Sequence, residues 1–166
     1  MKKPLLILAL MGTVSYGAYR MIGSSSRSSD QPAVQDGEQL VLDRIWIDHI
    51  PRNERDTIQV FAAITEEPFG VFQAASTWKG QYEVFRYEAK GNELRIVYPQ
   101  SNDKETVKHN ARRCSENQMD FCLELSGGSR GVKRYYSRKG WEIENVKSVG
   151  DLHDRADALL QTLSEK

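Results

Sequence analysis

Both cysteines of the chain, Cys114 and Cys122, lie in one short stretch, Arg112–Leu125, placed symmetrically about Gln118. A hairpin centred on Gln118 sets the two sulfurs face to face and pairs Arg112 with Glu124 across the ladder. Side chains alternate along a strand, so Phe121, Leu123 and Leu125 fall on the face opposite Cys122. One register satisfies cysteines, charges and apolar face together. The stretch predicts a hairpin stapled by a Cys114–Cys122 disulfide on its outer face, within an all-β exported domain.

The chain on either side reads as a succession of short strands. Leu40–Ile50 is a β-rich run stopped by Pro51. Thr57–Thr65 alternates, with Ile58, Val60, Ala62 and Ile64 on one face. Phe69–Trp78 follows, then Gln81–Ala89, the turn Lys90-Gly91-Asn92, and Leu94–Tyr98 ended by Pro99. Lys104–Cys114 sets Lys108, Asn110, Arg112 and Cys114 outward, with Val107, His109, Ala111 and Arg113 inward. Gly127–Gly131 is a turn, Val132–Arg138 an eighth strand, and Trp141–Val146 either a ninth or an irregular return. At Ser148 the period changes. Ser148 and Asp151 resemble a capping box, and Val149, Leu152, Ala156, Leu159, Leu160 and Leu163 recur at helical spacing. The expectation is an antiparallel up-and-down barrel of about eight strands with one C-terminal amphipathic helix packed on its wall, or else a two-sheet β-sandwich.

The N-terminus bears on compartment. Met1-Lys2-Lys3 precedes the apolar run Pro4–Val14, the length of a signal-peptide core and too short to span a bilayer alone. Small residues at Ser15 and Gly17 offer a cut before Ala18. Extended to Ile22, with Arg20 snorkelling, the same run reads as an uncleaved anchor. Residues 1–22 are thus a signal peptide or signal anchor. Residues 23–37, rich in Ser and Gly, form a flexible linker, and residues 38–166 form the folded domain. In both readings the domain is exported, to the periplasm or beyond, with residues 4–22 as its only means of inner-membrane attachment.

Charge and motifs limit the function classes. Lys plus Arg equal Asp plus Glu, 23 each, but Lys104–Trp141 carries nine bases against four acids. A zero total argues against a nucleic-acid partner, and the basic half argues for an anionic one. No Gly-x-Ser-x-Gly, His-Glu-x-x-His or Cys-x-x-Cys occurs. Asp48 and His49, as strand neighbours, point to opposite faces and form no dyad. The reading is non-enzymatic, with no cofactor and no metal.

The Trp in the first strand, the consecutive hairpins, an Arg in the last strand and the C-terminal helix together resemble the lipocalin-like (calycin) barrels over residues 38–166. That resemblance implies a packing pair between Trp46 and Arg134 or Arg138. Small barrels either fill their interior with side chains or hold one ligand among apolar walls with a few polar anchors. Trp46, Tyr87, His109, Arg113 and Arg134 are the interior candidates for a small apolar or amphipathic ligand. The alternative function is a cell-envelope interaction module without an internal ligand, using Lys133, Arg138 and Lys139 on a basic outer face to meet an anionic surface.

Overall fold

The computed structural model describes residues 38–76 and 79–164. The expected signal segment and linker lie outside the described residues, as do Thr77 and Trp78. A short helix α1 (Glu38–Val41) leads into eight strands: β1 (Trp46–Ile47), β2 (Ile58–Ile64), β3 (Phe69–Ser76), β4 (Lys79–Lys90), β5 (Glu93–Val97), β6 (Lys104–Arg113), β7 (Phe121–Ser126) and β8 (Arg134–Ser137). Helix α2 (Val149–Ser164) ends the domain. The strands follow one another antiparallel round a closed barrel, and β1 closes on β8 where Ile47 faces Tyr136. The barrel expectation holds, and the sandwich does not.

Two apolar cores form because the wall has two faces. Inside lie Trp46, Phe61, Phe72, Phe85, Tyr87, Leu94, Tyr98, Leu123 and Tyr135, among others. The second core lies outside, where Leu152, Ala156, Leu160 and Leu163 of α2 press on Ile58, Val60, Ala62 and Val71. Ser148 caps α2 through its hydroxyl, which accepts from the Asp151 amide at 3.1 Å. The inner core is tight. A Cβ at Gly70 would stand 2.3 Å from the Phe85 ring and 2.4 Å from the Ala62 carbonyl oxygen. Gly131 is as constrained: its φ is +66°, and a Cβ would meet the Tyr135 hydroxyl at 2.2 Å and the Phe72 ring at 2.7 Å.

Two sequence expectations about the elements are corrected, and one alternative left open is settled. The run Leu40–Ile50 is not one strand. Leu40 and Val41 belong to α1 and enter the inner core, while Asp43 takes a positive φ of 51° and breaks the chain direction. The Asp43 carboxylate accepts from the Thr65 amide at 2.8 Å and from its hydroxyl, and Trp46 Nε1 donates to the Val41 carbonyl at 3.0 Å. Leu40 and Val41 are thus buried by a helical plug, while only Trp46 and Ile47 of the run enter the ladder. Trp141–Val146 is the irregular return: only Arg44 and Glu142 bridge, flanked by amide bonds Ile45 to Trp141 and Ile143 to Asp43.

The second correction concerns the stapled hairpin. The disulfide forms, with Cα atoms 5.7 Å apart. However, Arg112 lies opposite Cys122 and Asn110 opposite Glu124, a two-residue slip from the symmetric register. Asn117 and Gln118 both take positive φ, and the Met119 amide closes on the Glu116 carbonyl, so a tight turn rather than a symmetric arc reverses the chain. A two-residue slip preserves the faces. Phe121, Leu123 and Leu125 still point inward, and Cys122 outward. Arg112 takes Glu116 at 2.9 Å instead of Glu124.

Candidate functional site

The expected interior residues divide between inside and outside. Trp46 is fully buried and Tyr87 nearly so, its hydroxyl donating to the Ile64 carbonyl at 2.8 Å. Burial, with the Asp43 charge, pushes that phenol well above its ordinary value. His109 is buried as well, its amide bonded to the Asn92 carbonyl at 2.8 Å. Arg113 and Arg134, in contrast, are exposed. Arg113 ends β6, where the strand runs out of the barrel. On β8 the inward position belongs to Tyr135, so Arg134 turns out and bonds Glu124 at 3.2 Å. The implied tryptophan–arginine pair is therefore not formed with Arg134. Nor is it formed with Arg138, whose guanidinium lies 5.9 Å from the Trp141 ring and donates to the Gln118 carbonyl at 3.0 Å.

Two arginines that the sequence did not single out close the barrel ends. At the end formed by the β5–β6 and β7–β8 loops, Arg130 lies 4.1 Å over the Tyr98 ring and bonds Asp103 at 2.8 Å and Glu83 at 3.3 Å. Tyr98 donates to Glu105, which also accepts from the Ser129 amide and hydroxyl at 2.7 and 2.8 Å. Burial pushes the Glu105 carboxyl up, but its bonds to Tyr98 and Ser129 and the Arg130 charge outweigh that and hold it below its ordinary value. At the opposite end Arg44 stacks 4.2 Å over Phe121 and reaches Glu142 at 2.5 Å and the Arg138 carbonyl at 2.8 Å. For Glu142 too, burial raises the carboxyl, while backbone amides and Arg44 together lower it further. A planar ion over an aromatic plug gives each end a polar rim without opening the apolar interior.

Asp48 and His49 do meet. β1 stops at Ile47, so the two follow a bend rather than a strand, and His49 lies between Asp48 at 2.9 Å and Asp56 at 3.3 Å. Asp48 also accepts from the Gln59 amide and Asp56 from the Arg52 amide, which ties the cluster to holding the β1–β2 loop. Cys114, Glu116 and Cys122 offer ligand atoms within 4.8 Å, but both sulfurs are committed to the disulfide.

Away from α2 and beside the β4–β5 turn, strands β6–β8 carry a groove of about 460 Å³ whose lining includes Lys108, Asn110, Glu124, Lys133 and Arg134 together with the expected site residue His109. Its charge is positive: Lys108, Lys133 and Arg134 outnumber Glu124 within the lining. Lys133 is exposed there. Arg138 and Lys139 stand past the far end of β8, roughly 16 Å along the strand, beside the stapled turn; the Lys139 amide donates to Asp120 at 2.9 Å. The structure therefore separates the three basic candidates into two places. Lys108 meets Lys133 here because β6 and β8 flank β7, and its outward position on β6 was readable in the sequence. No family model, curated protein or solved structure matches this chain. Among the described residues no helix is long and apolar enough to cross a membrane, and the disulfide points to a non-reducing, exported setting.

Proposed function

We propose that this protein is an exported, non-enzymatic interaction module: a packed barrel that presents a basic face to an anionic partner of the cell envelope. The observation that carries this reading is the groove over β6–β8, where Lys108, Lys133 and Arg134 surround about 460 Å³ of open surface. The internal-ligand reading has less support. Phe61, Phe72 and Phe85 stand with ring centroids 5.1–6.1 Å apart across the interior, and Gly70 and Gly131 admit no methyl group. A ligand among the rings would have to displace them.

The test is retention of the full exported domain on vesicles of phosphatidylcholine with and without phosphatidylglycerol. Binding is expected only with the anionic lipid, to weaken as ionic strength rises above about 0.1 M, and to be lost in Lys133→Glu/Arg134→Glu. Salt-insensitive retention, or retention unchanged by the double reversal, overturns the reading. Mass spectrometry of protein soaked in lipid extract tests the internal site separately, and a stoichiometric retained lipid would reinstate it.

A further inference from the structure

β4 is longer than the barrel requires. Lys79–Arg86 pair with β3, whereas only Arg86–Lys90 pair with β5. Continuing the β4–β5 register past Arg86 and Val97 would bring Val84 opposite Pro99, which has no amide hydrogen to donate. The ladder ends there. From Gly80 to Val84, the flank of β4 turned away from β3 has no strand beside it among the described residues. The Tyr87 amide bonds the Pro68 carbonyl on the β3 side. Backbone groups alternate in direction along a strand, so Gly80, Tyr82 and Val84 hold their N–H and C=O groups toward the open flank.

An open edge is a template for another strand, and proteins usually blunt one with charge or proline. From Gly80 to Val84 there is no proline and one charge, Glu83, whose carboxylate is taken by Arg130 at 3.3 Å. Tyr82, at the middle of the edge, is 54% exposed, the one exposed large apolar side chain among the described residues. Its ring lies 5.4 Å from that of His153 on α2, which holds it on the outer face beside the edge.

We propose that this edge pairs antiparallel with the same edge of a second copy, about a twofold axis at Tyr82. That register sets Tyr82 opposite Tyr82, Gln81 opposite Glu83 and Gly80 opposite Val84. No like charges face each other, and the even-numbered pairs exchange both backbone bonds. The interface is isologous, so one edge supplies both donors and acceptors and the assembly closes at two. Glycine beside each tyrosine leaves the two rings room to lie flank to flank between the His153 rings.

The test starts from sedimentation equilibrium of the exported domain across roughly 1 µM to 1 mM. A monomer–dimer equilibrium is expected, and Val84→Pro, which removes an outward amide while leaving the β3 side intact, should weaken it about thirtyfold. Circular dichroism reports whether that variant folds. Independently, Tyr82→Cys places a single free thiol, the native cysteines being bonded to each other, where its twin stands about 5.5 Å away between Cα atoms. Mild oxidation should give a covalent dimer, while Arg95→Cys on β5 should not. A protein monomeric throughout the range overturns the proposal. So does a dimer indifferent to Val84→Pro, or a Tyr82→Cys protein that cross-links no faster than Arg95→Cys. Trapping of Tyr82→Cys on an added cysteine-bearing strand peptide in preference to itself would give the edge to a foreign chain and likewise overturn the pairing.

Discussion

β2 and β6 are strands of the same barrel with opposite outward lives. β2 reads Ile58–Ile64 and is buried on both faces at almost every position. β6 alternates strictly, with Val107, His109 and Ala111 buried between exposed Lys104, Thr106, Lys108 and Asn110. The difference is α2, whose Leu152, Ala156 and Leu160 cover β2 and β3 and leave β6 bare. A wall covered by a helix must be apolar twice over, whereas a bare wall is free to carry charge. The covered side therefore holds the fold together and the bare side is available for recognition.

The largest expected effect tests that division directly. Leu152 is fully buried against the wall, and Leu152→Ala should cost about 2–5 kcal/mol in denaturant unfolding. If α2 were an accessory, the loss would be small and the helix would detach without a change in the barrel's own transition. A variant of near-wild-type stability would abolish the contrast.

The disulfide comes next. It lies at the border of the two sides: Cys122 belongs to the outer core with Met119 and Tyr136, and half-buried Cys114 packs on that core. The closed loop is short, so Cys114→Ser should cost about 2–3 kcal/mol. Intact mass should fall by two hydrogens in the native protein relative to the reduced one. Free thiols in exported protein would remove the staple from both the stability and the compartment argument.

A smaller effect separates apolar cover from the ionic barrel ends. Glu105 and Glu142 have carboxyls lowered from an ordinary 4.5. A lowered folded value means that the contribution is complete above the ordinary value and is lost as pH falls through the lowered one. Unfolding midpoints should therefore be flat above about pH 5 and decline below it. Glu105→Gln should flatten that decline while leaving the Leu152→Ala cost unchanged at neutral pH. A decline that begins near neutrality would show that these two carboxyls are not its cause.

How much of this contrast was legible follows from where the period of the sequence carried information. Alternation in β6, the helical spacing after Ser148 and the cysteine pair are local patterns, and each led to the right element. The first strand failed because Leu40, Val41 and Trp46 are apolar for a reason that alternation does not encode: a helical turn plugs the barrel and bonds the indole. The stapled register failed by two residues because a turn with two positive-φ residues is not centred on the midpoint between the sulfurs. Arg113 and Arg134 were placed inside by counting, while Arg44 and Arg130, which do meet the aromatic ends, sit in loops without a period. Arg44's hydrogen bond to the Arg138 carbonyl and its ion pair with Glu142, 94 and 98 positions away, have no signature in a linear pattern.

The smallest expected effect is the most specific to the bare side. Lys108 is paired with Glu93 at 3.8 Å and Arg134 with Glu124 at 3.2 Å, all four side chains at least a third exposed. Exposed pairs of this kind contribute little, so Lys108→Ala and Arg134→Ala should each change stability by no more than about 0.5 kcal/mol. The same substitutions remove positive charge from the groove. If recognition and stability are divided between the two sides of the wall, these variants keep the wild-type unfolding midpoint and lose anionic-vesicle binding together with its salt dependence, while Leu152→Ala does the reverse when assayed below its midpoint. A single variant on β6 or β8 that unfolds the barrel would show that the bare side supports the fold as well.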